Sequence, residues 1–486
     1  MLAVACAFAL PLVVLLATVR TSVGYWDTGD LQTVAWIAGI PYPTGYPLYV
    51  ILAWTWTHAL PLASVAMRVN ALSAIAIAAG SAAVCAAALL LDVAADFALL
   101  GGFLFAFAHT VWYRATYADA HPVGFAVAFA AIVLAVRWAR RGDARALAAA
   151  ILTGGVALGL DNTTVLLIPG ALVVAAGRRP PLRATALALA VACGIVAASY
   201  AYLPLRSAQV TAARLDPTLA LGVAPGRPFW DDHHPATRAG FLALVAGTDW
   251  GAESAAGRLV SPAAAVKAAR RFLPELRDDL HPGLAAIALL GLTFAAAAEP
   301  VIVLGLVLAA IVPALFGASY PPEADPQRYA FTLYAVAALG IAVFVSRMVR
   351  AVRADFAIAA RAVAAGVLVV AIGREMLRAD DLRWYRDDRS AAQFGADVVR
   401  STADGAIVVV PWDYATPLAY RAYVEHAFGN RVVVCGFVED YRDDYARWSG
   451  AHQIAVVGKS LPIVPGFRTR LLHDGDPFVF ELVRVR

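Results

Sequence analysis

Apolar stretches recur along this chain from its N-terminus to about residue 376. Each stretch of about 17–25 residues is long enough to cross the roughly 30 Å of hydrocarbon in a bilayer as a helix. The composition agrees, because 61% of the residues are hydrophobic and 15% are charged, with a mean hydropathy of +0.69. A soluble domain averages about 45–50% apolar and about 25% charged residues. The sequence therefore predicts an α-helical polytopic membrane protein.

The hydropathy pattern predicts about eleven membrane spans. The candidates are residues 2–19, 46–60, 69–91, 97–113, 121–138, 145–160, 163–177, 183–204, 281–298, 300–317, 328–346 and 356–376. The first stretch lacks a basic segment before it and an Ala-x-Ala site after it, which favours a retained span over a removed signal peptide. The stretch 46–60 is short, and a full crossing and a re-entrant or interfacial helix both remain open for it.

Short arginine-rich connections set the expected orientation. They are residues 137–145, 177–183 and 347–353, and the positive-inside rule assigns them to the cytoplasm. Counting spans outward from them assigns the segment 112–122, the turn 161–162, the long loop 206–280, the turn 320–328 and everything after about 377 to the extracytoplasmic face. If 46–60 and 69–91 both cross fully, the N-terminus and the loop 20–45 fall on the wrong face, which favours a re-entrant or interfacial helix at 46–60. The N-terminus is then expected in the cytoplasm. The protein is expected in the cell membrane, as a multi-pass protein with its site outside the cytoplasm.

After about residue 378 the pattern changes to that of a soluble fold. Strands are predicted at 406–410, 431–437, 453–457 and 478–485, with helices at 416–427 and 441–448 between the first three. The sequence thus predicts a transmembrane domain over 1–378. A small extracytoplasmic α/β domain is predicted over 379–486.

Several classes of function find no support in the residues. The net charge of +4 is carried almost wholly by arginines at span ends, so nothing points to nucleic acid. The four cysteines form no CxxC pair, and no disulfide framework or zinc site is predicted. The segment Gly458-Lys-Ser resembles the end of a phosphate-binding loop, but Gln453 stands where that loop would open with glycine.

Two carboxylates stand out in the first predicted external loop. Asp27 and Asp30 are three residues apart, at the start of a short predicted helix. Sugar transfer needs a base for the acceptor proton and negative charge near an oxocarbenium-like centre, and a carboxylate suits both tasks. The alternative is that one of them caps the helix N-terminus. The spacing alone leaves both interpretations open.

Three motifs in the first 74 residues resemble a known membrane family. They read Asp27-x-Gly-Asp30, then Tyr42-Pro-Thr-Gly-Tyr-Pro-Leu, then Arg68-x-Asn-x-x-Ser-Ala. The family typically reads D-x-G-E, H-P-P-G-Y-P-L and R-x-N-x-x-S-A. It includes the animal protein O-mannosyltransferase of plexin- and Met-type receptors and uncharacterised bacterial relatives, and it belongs to the GT-C class of membrane glycosyltransferases.

The similarity continues over about 330 residues. It includes the segments 112–119, 159–164, 202–207 and 325–329. Three positions depart from the family pattern, since Asp30 replaces glutamate and Tyr42 and Thr163 each replace histidine. Asp30 keeps the charge with a shorter reach, whereas Tyr42 removes a proton-carrying side chain. These departures predict a donor or acceptor different from that of better known members.

The resemblance implies an enzyme that takes a sugar from a polyprenyl-phosphate carrier and inverts the anomeric carbon. Asp27 would be the catalytic base, and Asp30 would orient it or the acceptor. Mannose is the sugar that the family suggests, and a protein or glycan hydroxyl is the acceptor. No cofactor is firmly implied, and no metal ligands are predicted.

The leaving lipid phosphate would need fixed cations. Arg206, Arg328 and Arg114 each lie at the expected external end of a span, so they are candidate ligands of the donor phosphate. The alternative is ordinary snorkelling of arginine at the membrane interface.

Five further residues are candidates for lining the site or binding the acceptor: Tyr42, Asp119, His121, Asp161 and Asn162. The alternative is that the pairs 119–121 and 161–162 are helix caps or solvated loops. The run Asp231-Asp232-His233-His234 has metal-ligand residue types, but a hydrated loop is the favoured interpretation, since four neighbours in sequence rarely converge on one ion.

Two other functions compete with the transferase. A transporter or flippase of lipid-linked saccharide could use the same carboxylates as a proton relay, although transporters usually carry internal repeats and midplane carboxylates. A non-catalytic scaffold with a binding domain is the third. The clustering of acidic residues at span ends on one predicted face favours an enzyme.

Overall fold

The computed structural model describes residues 1–248, 262–320 and 325–485. The chain is mostly helical. In chain order, the α-helices of the described residues are Leu2–Thr18, Trp26–Ile37, Pro47–Ala59, Val65–Leu90, Ala95–Phe107, His109–Arg114, Ala120–Arg141, Ala144–Leu160, Ile168–Ala175, Leu182–Ala212, Arg238–Ala246, Pro262–Leu280, Pro282–Ala298, Pro300–Gly317, Phe331–Ala351, Ala357–Arg378, Asp380–Arg386, Ser390–Ser401, Trp412–Tyr423 and Arg442–Trp448.

Six helices of the described residues are long and apolar enough to cross a membrane. They are Val65–Leu90, Ala120–Arg141, Leu182–Ala212, Pro300–Gly317, Phe331–Ala351 and Ala354–Arg378, the last counted with its preceding 3-10 turn. A seventh candidate is the pair Ala265–Leu280 and Pro282–Ala298, which is bent by 105°. The prediction of a helical membrane protein is confirmed. The number of about eleven crossings stays a prediction.

Two segments differ from simple spans and loops. The stretch predicted at 46–60 is the 13-residue helix Pro47–Ala59, whose length at 1.5 Å per residue is about 20 Å. It is therefore too short to cross the hydrocarbon alone as a helix. Residues 262–280, which the sequence assigned to the long loop, form a helix. The rest of that loop includes the helix Arg238–Ala246.

The chain divides into two compact units. The first comprises residues 1–19, 71–199 and 250–385, and its described part is helical. Small residues allow its helices to approach closely. A Cβ atom added to Gly291 would lie 1.8 Å from the carbonyl oxygen of Gly340. No larger residue fits at this crossing unless the backbone moves.

The second unit comprises residues 20–70, 200–249 and 386–486 and contains a five-stranded sheet. The strands are β1 (Ile407–Val410), β2 (Val432–Cys435), β3 (Ile454–Gly458), β4 (Phe467–His473) and β5 (Phe478–Arg484). Their order is β2-β1-β3-β5-β4, with β1 parallel to β2 and β3, and with β5 antiparallel to both β3 and β4. The small C-terminal sheet that the sequence predicted is confirmed.

The central strand β1 is buried at all four positions, as expected of a parallel strand covered on both faces. One face packs against Phe394 and Leu418, and the other against Tyr445 and Trp448. Strand β4 was missed in the sequence, because exposed arginines alternate along it and blunt its apolar pattern. The division of the chain near residue 378 into two domains stays a prediction.

Candidate functional site

The first external loop contains a 12-residue helix, Trp26–Ile37, which we call the first-loop helix. Asp27 lies in its first turn and is half-buried, and Asp30 lies one turn later and is fully buried. Tyr25 occupies the N-cap position, and no side chain caps the helix. The interpretation of either aspartate as an N-cap is therefore wrong. Both carboxylates belong to the helix itself.

Burial controls the protonation of Asp30. Burial raises the pKa of the Asp30 carboxyl well above its usual range, and the nearby Asp232 and Asp27 carboxylates raise it further. The backbone amide of Tyr42 opposes this by donating a hydrogen bond to Asp30 Oδ2 at 3.1 Å. Asp30 Oδ1 has no hydrogen-bond partner among the described residues. The fold therefore favours the protonated form of Asp30, whose carboxyl is held by the loop that carries Tyr42.

A chain of buried amides holds the first-loop helix to the segment before it. Gln32 accepts a hydrogen bond from the backbone amide of Gly24 at 3.0 Å and donates to Asn70 Oδ1 at 2.7 Å. Asn70 in turn donates to the carbonyl oxygen of Arg20 at 2.9 Å. Gln32 and Asn70 are both fully buried. This chain gives a structural reason for the asparagine of the third motif.

The glycine between the two aspartates allows a close helix contact. A Cβ atom at Gly29 would lie 2.3 Å from the Gly24 carbonyl oxygen and 2.7 Å from Thr416 Oγ1. Thr416 is on the helix Trp412–Tyr423 of the C-terminal sheet region. The two aspartates are therefore fixed on a helix that packs directly on this C-terminal helix. Only glycine fits there without moving one of the helices.

Arg206 binds the opposite end of the first-loop helix from Asp27. Its Nε donates to the carbonyl oxygen of Ala38 at 2.7 Å, and its Nη2 donates to that of Ile37 at 2.8 Å. Its Nη1 donates to Gln209 at 2.7 Å. A cation at a helix C-terminus satisfies the last carbonyl groups and complements the helix dipole. Arg206 therefore positions the helix that carries the aspartates.

The segment 229–234 of the long loop is packed, not hydrated. Its Phe229 carbonyl accepts a hydrogen bond from the Ile40 amide at 3.2 Å. Asp231 is 1% exposed and Asp232 is 6% exposed, so the interpretation of this run as a hydrated loop is wrong. Burial raises the pKa of the Asp231 carboxyl, and the hydrogen bonds with Ser207 and His234 oppose this shift only in part.

Each histidine of that run pairs with one aspartate. His233 Nδ1 lies 2.7 Å from Asp232 Oδ1, and His234 Nδ1 lies 2.7 Å from Asp231 Oδ2. Ser207 Oγ lies 3.1 Å from the same His234 Nδ1. Because serine and aspartate share one ring nitrogen, this group lacks the geometry that activates a serine nucleophile. Across residues 1–248, 262–320 and 325–485, no three His, Cys, Asp or Glu side chains form a group suited to a metal ion.

In the first unit, Arg114 is compensated by neighbouring carboxylates. It is 2% exposed and forms an ion pair with Asp325, and its Nη1 lies 3.6 Å from Asp119 Oδ2. It also donates a hydrogen bond to the hydroxyl of Tyr117. Burial opposes ionisation of Asp325, but the Arg114 charge outweighs it and lowers the pKa of that carboxyl. A ligand phosphate at Arg114 would therefore compete with these two carboxylates.

His121 and Asp161 form a buried pair in the same unit. His121 Nδ1 lies 2.7 Å from Asp161 Oδ2, and the side chains are 3% and 2% exposed. Asp161 Oδ1 accepts from the backbone amide and hydroxyl of Thr163, at 2.9 and 2.8 Å. Asp161 thus caps the turn Asn162–Leu167 while it also binds the imidazole. Asn162 begins that turn and is half-buried.

The capping interpretation also holds for Asp119. Its Oδ1 accepts a hydrogen bond from the His121 backbone amide at 2.9 Å, which caps the helix Ala120–Arg141. Asp119 is 3% exposed, so it is not part of a solvated loop. Capping and participation in a site are compatible, because the cap also fixes the position of His121.

A cavity of about 30 Å³ lies beside the His121–Asp161 pair. Its polar lining includes Arg328, whose Nη1 lies 3.4 Å from His121 Nε2. The Tyr329 ring packs on the His121 ring with 5.3 Å between centroids. Apolar side chains such as Phe125 line the remainder. A volume of about 10–15 Å³ suffices for one water molecule, so a small polar group fits here.

The predicted site residues therefore fall into two groups. The second unit contains Asp27, Asp30, Tyr42 and Arg206, with Tyr42 tied to Asp30 and Arg206 at the far end of the first-loop helix. The first unit contains Arg114, Asp119, His121, Asp161, Asn162 and Arg328, with His121 in contact with both Asp161 and Arg328.

The chain is similar to known proteins over segments that include residues of both groups. Residues 27–182, about a third of the chain, match the family model described as the N-terminal domain of the protein O-mannosyl-transferase TMEM260. The chain is similar to the crystal structure of ArnT from Cupriavidus metallidurans bound to undecaprenyl phosphate, with 12% identity and a TM-score of 0.51. That match covers 99% of this chain and 97% of ArnT. The apo structure of the same protein gives 14% identity, with a TM-score of 0.46 and the same coverage.

No curated protein sequence matches this chain. At these identities the likeness to ArnT concerns the fold. The chain is thus an integral membrane protein with a GT-C-like fold, which is the fold class that the sequence motifs predicted. Its resemblance to GT-C membrane glycosyltransferases is confirmed by the match over residues 27–182, which includes both first-loop aspartates.

Proposed function

We propose that this protein is a membrane glycosyltransferase that moves a sugar from a polyprenyl-phosphate carrier to a hydroxyl acceptor on the extracytoplasmic face. The observation that carries the proposal is the pair Asp27 and Asp30, on a helix inside the segment that matches an O-mannosyl-transferase domain. The solved relative ArnT, bound to undecaprenyl phosphate, supports a lipid-phosphate donor. Mannose as the sugar and a protein hydroxyl as the acceptor follow from the family resemblance.

The two aspartates have different surroundings and take different roles. Asp27 is half-buried in the first turn of its helix and is within reach of a bound molecule. Asp30 is fully buried, its pKa is raised by that burial, and it accepts a hydrogen bond from the loop of Tyr42. Pairs of titratable groups in contrasting environments are typical of acid–base sites. We assign the base to Asp27 and a positioning role to Asp30.

The reaction proceeds as a single displacement with inversion. The Asp27 carboxylate takes the proton of the acceptor hydroxyl while the acceptor oxygen bonds to the anomeric carbon. The bond from that carbon to the phosphate oxygen breaks, and its electron pair leaves with the polyprenyl phosphate. Cations stabilise the charge that develops on this leaving group. Arg114, Arg206 and Arg328 are the candidate phosphate ligands that the sequence proposes, and each of them also contacts protein groups in the structure.

The experiment compares the wild type with Asp27→Asn in lipid nanodiscs. Each is incubated with radiolabelled polyprenyl-phosphate mannose and a native membrane fraction as acceptor. We expect the wild type to transfer label, and the variant to lose about 10²–10⁴-fold in rate, the range for a general base. Asp443→Asn removes an exposed carboxylate of the C-terminal region and should leave transfer unchanged.

Two results would contradict the proposal. Transfer by Asp27→Asn at the wild-type rate would remove Asp27 from the reaction. If the wild type transferred label from none of several polyprenyl-phosphate sugars while the donors stayed intact, the transferase itself would be refuted. Transport of the same lipids across proteoliposome membranes would then be the function to test.

A further inference from the structure

An aromatic group extends from the protein surface to the buried carboxylate of the second unit. It consists of Trp26, Trp412 and Tyr42, which we call the aromatic wall. The Trp26 and Trp412 rings meet with 6.2 Å between centroids, and the Trp412 and Tyr42 rings with 5.8 Å. The interplanar angles of 69° and 73° make both contacts edge-on. The wall joins the first loop to the C-terminal helix, from which Trp412 comes.

Exposure along the aromatic wall falls in one direction. Trp26 is 60% exposed, Trp412 is half-buried and Tyr42 is 5% exposed. The backbone amide of Tyr42 binds Asp30, and Trp26 directly precedes Asp27 in the chain. The wall therefore begins in the open next to Asp27 and ends at Tyr42, whose backbone binds the buried Asp30. A ligand resting on its open end would lie at the first turn of the first-loop helix, which carries Asp27.

Trp26 is the exposed end of a contiguous aromatic surface. Single exposed apolar side chains are common in folded proteins, but the ring of Trp26 continues through Trp412 to Tyr42. The Trp26 backbone φ of +56° lies in the left-handed region, which costs a non-glycine residue about 1–2 kcal/mol. The fold thus holds an exposed tryptophan in an unfavourable conformation immediately before Asp27.

The chemistry of the wall fits a pyranose ring. The C–H face of a sugar is apolar and packs on an indole, while its hydroxyl groups donate hydrogen bonds to carboxylates. Such sites combine an aromatic lining with a few polar groups that fix orientation. Asp27 and Asp413 each follow a tryptophan of the wall in the chain, and both are half-buried.

We propose that the aromatic wall binds the apolar face of a pyranose ring and brings its hydroxyl groups to the first turn of the first-loop helix, which carries the half-buried Asp27. The inference rests on the proposed function and deepens it, since it names the part of the substrate that the second unit recognises. The ring belongs to the lipid-linked donor or to a glycan acceptor. Both sources share the same recognition chemistry, and a binding experiment separates them.

The experiment measures binding to the full-length protein in nanodiscs, with three radiolabelled probes. They are undecaprenyl phosphate, undecaprenyl-phosphate mannose and methyl α-mannoside. The variants are Trp26→Ala, Trp26→Phe and the control Trp384→Ala. Trp384 is 67% exposed, so its removal matches the loss of exposed indole at Trp26. The quantity of interest is the Kd ratio of the bare lipid to the mannosylated lipid, which isolates the sugar.

We expect Trp26→Ala to lower this Kd ratio by about threefold to tenfold, the range of one aromatic contact. Trp26→Phe should restore most of it, and Trp384→Ala should change nothing. A fall in the ratio identifies the donor sugar as the bound ring. A fall only in methyl α-mannoside binding identifies an acceptor sugar. Either result supports the inference.

Other results would overturn it. Equal weakening of the bare and mannosylated lipids would mean that Trp26 contacts the polyprenyl chain, as interfacial tryptophans do. No change with any probe would mean that the wall is not a sugar site. These results can be distinguished from failure of the proposed function. A wild type that binds sugar through Trp26 without transferring it would refute the transferase activity but not the sugar site. Normal transfer with an unaffected ratio would refute the inference alone.

Discussion

The backbone amide of Tyr42 donates a hydrogen bond to Asp30 Oδ2 at 3.1 Å, which joins the second family motif to the first. Asp30 is fully buried, and this burial raises the pKa of its carboxyl. The aspartate therefore supports the loop after the first-loop helix from inside the fold. This contact has a consequence for stability that depends on pH.

The first prediction concerns Asp30→Asn, which replaces the carboxyl by an uncharged group of nearly the same shape. A carboxyl whose pKa is raised in the fold contributes stability below its unfolded value of about 3.9 and loses it as pH rises through the folded value. The wild type should lose stability with rising pH, whereas the variant lacks this loss. The Tm of Asp30→Asn minus that of the wild type should grow from pH 5 to pH 9 in detergent.

Asp443→Asn is the control for that series, because it removes an exposed carboxylate of the same unit. Its Tm difference from the wild type should be small at both pH values. A Tm difference for Asp30→Asn that shrank toward high pH would show that Asp30 is ionised and paired in the fold.

The second prediction concerns the contact at Gly29. In Gly29→Ala the new methyl group meets the Gly24 carbonyl oxygen at 2.3 Å, and backbone cannot rotate away as a side chain can. Overpacking of this kind costs about 1–3 kcal/mol, and we expect a matching fall in Tm. Gly366→Ala is the control, since its Cβ would have no neighbour within 4 Å. There the better helix propensity of alanine should leave the Tm equal or higher.

The sequence predicted the helical membrane class and four of the five strands, because both depend on local hydrophobic periodicity. Strand β4 escaped, since Arg468 and Arg470 interrupt its apolar pattern at the sheet edge. The bounds of Pro300–Gly317 coincided with the predicted span, because prolines and glycines mark helix ends locally. The helix at 262–280 carries many charges and does not read as a span.

The candidate site was less predictable, because its contacts join distant parts of the chain. Trp412 was not singled out in the sequence, and it meets Trp26 from 386 positions away. The burial of polar side chains was also not predictable from the sequence. Asp231 and Asp232 have the composition of a wet loop, but the bond between Phe229 and Ile40 locks their segment against the first loop. Asp325, the ion-pair partner of Arg114, was not singled out in the sequence either. It lies in the segment 325–329, which resembles the family, so the resemblance was a signal that could have indicated it.

The third prediction separates two roles for Arg206. Arg206→Lys keeps the charge but cannot reproduce the fork that binds the carbonyl groups of Ile37 and Ala38. If Arg206 positions the first-loop helix, the substitution should cost about 1.5–3 kcal/mol, seen as a lower Tm. The donor KM should change little in the surviving enzyme. Arg214→Gln, at an exposed position nearby in the chain, should change neither quantity.

An unchanged Tm with a raised donor KM in Arg206→Lys would reverse that assignment. The guanidinium would then contact the phosphate of the donor, and the helix would hold its position through other groups. Tyr202 is the available one, because its hydroxyl also donates to the Ala38 carbonyl at 2.6 Å.

The fourth prediction concerns the buried pair of His121 and Asp161, in a double-mutant cycle with alanine at each position. Removing either partner leaves the other buried polar group without this hydrogen bond, which costs about 1–3 kcal/mol. Removing both leaves neither, so the double variant should lose clearly less than the sum of the single losses. Thermal unfolding midpoints in detergent provide the four values. The more exposed pair of His109 and Asp381, 3.3 Å apart and 27% and 48% exposed, is the control, with an expected coupling of about 0–1 kcal/mol. If the losses in stability at His121 and Asp161 were additive, each side chain would be held by its other contacts. The position of the imidazole beside Arg328 would then depend on Asp119, which caps the helix at His121.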